Sequence, residues 1–205
     1  IANNFEINYE VSSKKILIKN AIYYINLKNA ITRSLTRFNN QDSIVYDGTL
    51  SRVQTLTNTG KANVYGFSNQ ISYFISKKII FINTISYNYS NDIINKKPLR
   101  HSPPLFGKFE ISYKTKNIEL IYNLIYNGKK SIENFADSEL NKLYLYTEEG
   151  SPSWKTHNIS FIYNINYFIK ANFSVENIFD LHYRTYSSGI SAPGRNFNFG
   201  LNIKF

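Results

Sequence analysis

Cysteine is absent from this chain, which excludes disulfide bonds and thiolate metal sites. No stretch approaches 18 consecutive apolar residues, so a membrane-spanning helix is excluded. The start lacks the basic and apolar regions of a signal peptide, because Ile1-Ala-Asn-Asn-Phe-Glu6 already reads as a strand. No phosphate-binding loop, nucleophile elbow or dinucleotide fingerprint occurs. We therefore expect no enzyme activity, no catalytic residue and no cofactor.

Aromatic residues and positive charge are abundant instead. The 205 residues include 17 Tyr and 15 Phe, and the formal net charge is +10. A basic chain can bind nucleic acid or an anionic membrane. Here the lysines are scattered through turns and polar strand faces without forming a stripe, and Ile, Asn, Lys, Tyr and Phe all have AT-rich codons. Codon bias therefore explains the charge better, and we expect no nucleic-acid partner.

Polar and apolar residues alternate along most of the chain. In the last segment Phe197, Phe199, Leu201, Ile203 and Phe205 share one face, and polar residues or glycine occupy the other. Segments of about ten residues with one wholly apolar face are typical of strands that cross a membrane as a β-barrel. The mean hydropathy of −0.33 agrees, because alternation hides the apolar face from an average. The pattern predicts about nine antiparallel strands and no helix of useful length.

The same alternation predicts which side chains lie on each face of the sheet. The residues predicted to face lipid are Phe109, Ile111, Tyr113, Leu120, Tyr122, Phe173, Val175, Phe199 and Leu201. Those predicted to face the lumen are Lys114, Glu119, Asn164, Asn172 and Asn202. The segment from Ile16 to Ile31 alternates least clearly. We place its apolar face at Ala21, Tyr23, Ile25 and Leu27, with Ile22 and Tyr24 opposite.

The predicted connections alternate between short and long. The short ones are Ser12–Lys14, Ser76–Lys78, Thr115–Asn117 and Asn166–Tyr167. The long ones are Phe38–Gly60, Asn91–Pro104, Lys129–Lys155 and Leu181–Asn196. Short periplasmic turns and long outer loops are the layout of an outer-membrane barrel. The fold class predicted is thus all-β: an antiparallel transmembrane β-barrel, here a partial barrel of about nine strands in the outer membrane.

Several short sequence motifs resemble those of one protein family. Val175-Glu-Asn-Ile-Phe-Asp180, with the segment from Tyr183 to Phe197, resembles the closing strands of TonB-dependent outer-membrane receptors. The resemblance is closest to receptors of Bacteroidetes-type bacteria. Weaker matching phrases are Pro98–Gly107, Asp42–Gly48, Gly150–Trp154 and Asn8–Glu10.

This resemblance implies a barrel of about 22 strands, filled by an amino-terminal plug that contacts TonB. Residues 1–205 resemble only its carboxy-terminal part, without the plug and the first strands. The implied function is active uptake of a scarce nutrient such as a ferric siderophore, haem or cobalamin, and the implied partners are outer-membrane lipid, the barrel-assembly machinery and the TonB complex. Phe205 would be part of the signal that the assembly machinery recognises. A partial barrel should remain an open sheet with unpaired edges at Phe5–Val11 and Phe197–Phe205.

Ligand-contacting residues are predicted only as candidates. His101, Tyr183, Tyr186 and Arg195 lie in outer loops, where a metal-chelate or other nutrient ligand would arrive. Arg195 also has a structural interpretation, because Pro193-Gly194-Arg195-Asn196 reads as strand-entry geometry. Most Tyr and Phe rings are expected in interfacial girdles, and Tyr183 and Tyr186 in the last outer loop are the exceptions. The spacing of the three histidines, His101, His157 and His182, predicts no metal site. Glu176 and Asp180 are better explained as lumen carboxylates than as an acid–base pair.

Two other functions remain open at this stage. The chain could be a non-transporting barrel remnant, or a small structural pore or adhesin. A basic nucleic-acid-binding β-protein would show salt-dependent affinity for DNA or RNA.

Overall fold

A computed structural model describes residues 1–94, 96–140 and 142–205, leaving out the side chains at positions 30, 32–34, 59, 137 and 138. Nine long strands form one antiparallel sheet in the order β1-β2-β5-β6-β8-β9-β12-β13-β14. Their bounds are Ala2–Ser12 (β1), Ile16–Leu35 (β2), Gln54–Phe74 (β5), Ile79–Asp92 (β6), Phe106–Lys114 (β8), Ile118–Asn127 (β9), Trp154–Asn164 (β12), Ile169–Glu176 (β13) and Asn196–Ile203 (β14). The predicted number of strands is confirmed.

Small elements lie in the outer connections. Their bounds are Ser43–Tyr46 (β3), Thr49–Arg52 (β4), Lys97–Pro98 (β7), Lys130–Ser131 (β10), Gly150–Ser151 (β11) and Asp137–Leu140 (α1), with single 3-10 turns at Ile132–Asn134 and Leu143–Leu145. β3 pairs with β4, β10 with β11, and β7 with the end of β6. No helix in the described part of the chain is long and apolar enough to cross a membrane.

The alternation of short turns and long loops is confirmed, but two of the predicted loops are shorter than expected. Strand β5 begins at Gln54, so the connection predicted as Phe38–Gly60 ends earlier and itself contains the β3–β4 hairpin. The segment 54–60 was predicted as loop because polar residues dominate this part of β5, and only its pairing with β2 reveals it as strand. The loop Lys129–Lys155 likewise ends at Trp154, where β12 begins.

The register confirms that the predicted apolar and polar sets lie on opposite faces of the sheet. Phe109 pairs with Leu124, Ile111 with Tyr122, and Phe173 with Phe199, so one apolar surface runs across neighbouring strands. Lys114 pairs with Glu119, their side chains form an ion pair of 3.2 Å, and both lie on the opposite, polar face. Phe199 is 76% exposed, as expected for a side chain that meets lipid instead of a protein core.

Strand β2 was assigned to the wrong face. Ile22 pairs with Phe67 and Tyr24 with Tyr65, so Ile22 and Tyr24 lie on the lipid face. Ala21, Tyr23, Ile25 and Leu27 therefore lie on the lumen face, opposite to the prediction. The reason is local packing: a Cβ at Gly66 would lie 2.6 Å from the hydroxyl of Tyr23, which shows that this ring covers the glycine. An aromatic side chain on the lumen face made the sequence pattern ambiguous.

One polar pair interrupts the lipid face. Asn20 pairs with Asn69 in the register, and the side-chain amide of Asn69 donates to Oδ1 of Asn20 at 2.6 Å. Each amide thus satisfies part of the other's hydrogen-bonding capacity away from water.

The sheet is open in the described part of the chain. Its strand order begins at β1 and ends at β14, and these two strands do not pair with each other. The prediction of an unclosed sheet with two free edges is confirmed.

Candidate functional site in the outer loops

Three outer connections contact one another at one end of the sheet through their described residues, which are 93–94 with 96–105, 128–140 with 142–153, and 177–195. We call them the loop cluster. The third begins at Asn177, which has a positive φ of 48° and ends β13. Its side-chain amide donates to the carbonyl of Leu181 at 2.8 Å and to that of Pro193 at 3.3 Å. One buried asparagine therefore ties both ends of this loop together.

Asp180 and Arg195 close the same loop. Oδ1 of Asp180 accepts from the backbone N–H of Arg195 at 2.7 Å, and Nε of Arg195 donates to the carbonyl of Ile178 at 2.8 Å. A Cβ at Gly194 would lie 2.6 Å from that Asp180 oxygen, so the turn needs glycine there. These contacts give Asp180 and Arg195 a structural role at the entry to β14.

An aromatic core joins the second and third loops. Phe135 is 2% exposed, and its ring centroid lies 4.7 Å from that of Tyr146 and 5.4 Å from that of Tyr186. Burial raises the pKa of the Tyr186 hydroxyl, with a smaller contribution from the nearby Glu139 carboxylate. Tyr186, a predicted ligand candidate, is thus part of the packing that holds the loop cluster together.

A buried carboxylate lies beside this core. Glu139 is 3% exposed, Oγ of Ser187 donates to its Oε1 at 3.1 Å, and Nε of Arg100 lies 3.8 Å from the same oxygen. Glu139 therefore connects all three loops through one side chain.

Lys130 adds a second cation. Its Nζ lies 4.4 Å from the centroid of the Tyr186 ring and donates to the carbonyl of Ser102. Burial lowers the pKa of Lys130 to about 8, and the carboxylate of Glu139 opposes part of that shift. A half-buried ammonium of this kind can hold an anion strongly, since little water competes for it.

The only tryptophan of the chain stacks on a predicted candidate. The Trp154 and Tyr183 rings are 4.3 Å apart at 38°. Burial raises the pKa of Tyr183, and the nearby Glu176 carboxylate raises it further. Trp154 is therefore a natural optical reporter for the state of this loop.

The three histidines have separate environments. His101 is exposed at a positive φ of 60°, His182 lies 2.9 Å from Oγ of Ser191, and Nδ1 of His157 lies 2.7 Å from the hydroxyl of Tyr122. Across the described residues, no three His, Asp or Glu side chains form a group that could hold a metal ion.

Three buried polar atoms in or next to the loop cluster have no hydrogen-bond partner within the described residues: Nε1 of Trp154 at the start of β12, Nε of Arg184 and the hydroxyl of Tyr186. The indole nitrogen of Trp154 and the guanidinium nitrogen of Arg184 can only donate a hydrogen bond, whereas the Tyr186 hydroxyl can either donate or accept one. Lys130 lies over the ring of Tyr186, so a cation and an unpartnered hydroxyl belong to neighbouring side chains of the cluster.

Tyr183 and Tyr186 are candidates in the sequence and lie in this part of the structure, whereas Lys130, Glu139 and Arg184 are not candidates in the sequence. Their contacts span up to 48 residues of sequence, as between Glu139 and Ser187. The sequence offers one sign of this cluster. Glu139 follows the apolar pair Phe135-Ala136 by three residues, in a segment that otherwise has the composition of a loop.

Comparison with known proteins agrees with this architecture. Residues 1–178 match the family described as TonB dependent receptor-like, beta-barrel. The whole chain superposes on the copper transporter OprC with a TM-score of 0.78 at 13% identity, covering 31% of that protein. It superposes on the siderophore receptor PirA from Acinetobacter baumannii with a TM-score of 0.74 at 18% identity, covering 32%.

A third similar structure is a mutant of the ferric enterobactin receptor PfeA from Pseudomonas aeruginosa, with a TM-score of 0.75 at 17% identity and 31% coverage. The chain thus spans about a third of the length of these solved receptors. No curated protein sequence matches it significantly. The narrower resemblance to Bacteroidetes-type receptors stays a prediction. The family match over residues 1–178 shows that the chain belongs to the TonB-dependent receptor β-barrel family, whose members are outer-membrane transporters and receptors and not enzymes.

Proposed function

We propose that residues 1–205 form the carboxy-terminal part of a receptor barrel that takes up a scarce nutrient as an anionic metal chelate. Ferric siderophores are the first candidates, and haem and cobalamin are further ones. The observation that carries this proposal is the loop cluster, in which Lys130 and Arg100 lie near the buried carboxylate of Glu139. Cations and unpartnered donors within one cluster suit the oxygen-rich surface of a ferric chelate.

Energy for uptake would come from the TonB complex through an amino-terminal region that these residues do not include. This chain would supply a lumen wall and outer loops, while the barrel-assembly machinery and outer-membrane lipid are its other partners. The solved receptors PirA and PfeA are named for siderophore and ferric enterobactin, which supports iron chelates as the ligand class.

Trp154 makes binding measurable. In the chain held in an uncharged detergent, a ferric catecholate and a ferric hydroxamate are titrated separately while Trp154 fluorescence is followed. We expect saturable quenching by at least one of them, weakened about tenfold by Lys130→Gln, because loss of a charge-assisted contact costs roughly 1.5 kcal/mol. The matched control is Lys129→Gln, whose ion pair with Glu149 lies at an exposed position.

The result that contradicts the proposal is equal quenching in the wild type, Lys130→Gln and Lys129→Gln, since that pattern indicates nonspecific absorption of light by iron. Transport itself is tested in an iron-starved bacterium that expresses the complete polypeptide containing this chain. Radioactive iron should accumulate only when TonB is present.

Phe205 is proposed as part of the assembly signal. It lies just beyond β14, continues the lipid-facing parity of that strand and is fully exposed. Deleting Phe205 from the complete polypeptide should lower its yield in the outer membrane of cells without changing strand content in detergent. An unchanged yield would contradict this role.

The open sheet favours a second candidate function for the chain by itself, a non-transporting barrel remnant. Strands β1 and β14 each leave one edge unpaired, and unpaired backbone groups in lipid cost several kcal/mol each. If the isolated chain binds no chelate and the complete polypeptide transports none, this second candidate replaces the first.

A further inference from the structure

The lipid face of strands β1, β2, β5 and β6 changes character in steps toward its outer end. An apolar row of Ile7, Ile22, Phe67 and Tyr87 is followed by an aromatic row of Phe5, Tyr24, Tyr65 and Tyr89. Next comes an amide row of Asn3, Asn26, Asn63 and Asn91. Beyond it, Lys28 pairs directly with Lys61. We call the amide row and the two lysines the rim patch.

The order of these rows matches the depth profile of a bilayer. A strand rises roughly 2.3–2.8 Å per residue along the membrane normal at the usual tilt of a barrel strand. Counting from Ile16, the first residue of β2, Tyr24 lies roughly 19–22 Å up and Lys28 roughly 28–33 Å up. Because the apolar band of such barrels is about 25 Å tall, Tyr24 lies inside its outer boundary and Lys28 just outside it. The lysines are thus at the height of lipid headgroups.

The pairing of Lys28 with Lys61 is electrostatically unfavourable without an anion. Like charges directly opposite each other on neighbouring strands are destabilising. Within the described part of the chain, neither ammonium has an ion pair or hydrogen bond, and both side chains are exposed. Asp92, the carboxylate at the end of β6, pairs with Ala62 and therefore lies on the opposite face. Among the residues that the structure describes, no carboxylate forms an ion pair with either ammonium, so the compensating charge would have to come from an external anion.

The amide row completes the site. The side-chain amide of Asn26 donates to Oδ1 of Asn63 at 2.8 Å, which fixes these two amides side by side directly below the lysines. Both side-chain N–H groups of Asn63 and the second N–H of Asn26 then remain available as donors. Below them, the Tyr65 and Tyr89 rings lie 5.2 Å apart and offer an apolar surface to acyl chains.

We propose that the rim patch binds the phosphate headgroup of a lipid in the outer leaflet. The two ammonium groups hold the phosphate, the amides donate to its oxygens or to a headgroup sugar, and the aromatic row packs against the acyl chains. This interaction is independent of chelate uptake and uses none of the loop-cluster residues.

Native mass spectrometry of the chain in an uncharged detergent tests the proposal. The probes are a diphosphoryl lipid A and the same lipid after removal of both phosphates. We expect the phosphorylated lipid to stay bound and Lys28→Gln/Lys61→Gln to weaken it roughly 25-fold, since each basic residue near a lipid surface contributes about fivefold. The double variant Lys14→Gln/Lys15→Gln removes equal charge at the opposite end of the same hairpin and should bind like the wild type.

Two further arms separate the proposal from simpler explanations. Lys28→Arg/Lys61→Arg keeps the charge and should retain binding, whereas loss of binding in a variant with unchanged β-sheet circular dichroism would contradict a charge-based site. Inorganic phosphate at the same concentration should not displace the lipid, because it lacks the acyl chains that contact the aromatic row. Displacement by inorganic phosphate, equal binding of the dephosphorylated lipid, or equal loss in the Lys14/Lys15 variant would each overturn the proposal.

Discussion

Replacing Glu139 by Gln should open the loop cluster without unfolding the sheet. The substitution keeps the shape of the side chain and removes its charge. A hydrogen bond to a charged acceptor is worth about 1 kcal/mol more than one to a neutral acceptor, which is the loss expected at Ser187 Oγ. The contact with Arg100 adds up to about 1 kcal/mol, because the Arg100 side chain is 42% exposed. The local opening free energy should therefore fall by about 2 kcal/mol.

Hydrogen exchange followed by mass spectrometry measures this effect. About 2 kcal/mol corresponds to roughly thirtyfold faster exchange when opening precedes it. The informative amides are Ser187, whose N–H donates to the Tyr146 hydroxyl at 3.2 Å, and Ala192, whose N–H donates to the Tyr183 carbonyl at 2.9 Å. Amides of β12 and β13 should exchange as in the wild type.

Glu149→Gln is the matched control. Lys129, by its hydrogen bond and its charge, lowers the pKa of Glu149, but this carboxylate is exposed outside the buried core of the cluster. No change in exchange at Ser187 is expected from that variant. The reasoning would be refuted if Glu139→Gln left exchange at Ser187 and Ala192 unchanged, or if Glu149→Gln accelerated it equally.

Three other predictions concern lipid contact and pH. Replacing Asn69 alone with Leu should destabilise the sheet in detergent by about 1 kcal/mol, because Asn20 loses its partner, whereas Asn20→Leu/Asn69→Leu should restore or exceed wild-type stability in urea titrations. Phe173→Lys should cost roughly 2–4 kcal/mol in lipid vesicles and Asn172→Lys much less, since only the first places charge on the lipid face. Lys130 has a pKa of about 8, below its unfolded value of 10.5, so the unfolded state binds more protons between these values. Stability of the loop cluster, read from Trp154 fluorescence in urea, should therefore rise from pH 8 to pH 10; a fall over this range would contradict burial of the ammonium.

Strands with one apolar face were predictable, and strands with two were not. Strand β14 places Phe197 and Phe199 on one face and Asn198 and Gly200 on the other, so its parity needed no partner. Strand β2 carries Ile22 and Tyr24 on one face and Tyr23 on the other, so its orientation depends on β5 and on the cover that Tyr23 gives to Gly66. The alternation of apolar and polar residues within a strand can be read from that strand alone. The register depends on the neighbouring strand, which the local sequence does not contain.

The loop cluster was the least predictable part. Its elements are two to four residues long, and its stabilising contacts join segments tens of residues apart. Arg184, for example, donates from Nη1 to the carbonyl of Leu145 at 3.0 Å, across 39 residues of sequence. The asparagine that organises the third loop, Asn177, was visible only as part of a phrase resembling the family. Its physical role depends on side-chain hydrogen bonds to Leu181 and Pro193, and the alternation pattern of the sequence does not predict such bonds.

The contrast between the β3–β4 hairpin and the loop cluster has a consequence for how these loops can diverge between related proteins. The contacts that shape the hairpin region are its own: Arg37 pairs with Asp42 at 2.7 Å, and the Val53 N–H donates to the Asp42 carbonyl at 2.9 Å. Such a loop can change length and composition one residue at a time. The three loops joined through Glu139 share a single carboxylate, so a change in one of them alters the fit of the other two. Homologous receptors should therefore vary freely in the hairpin and replace the three clustered loops together, as one inherited unit.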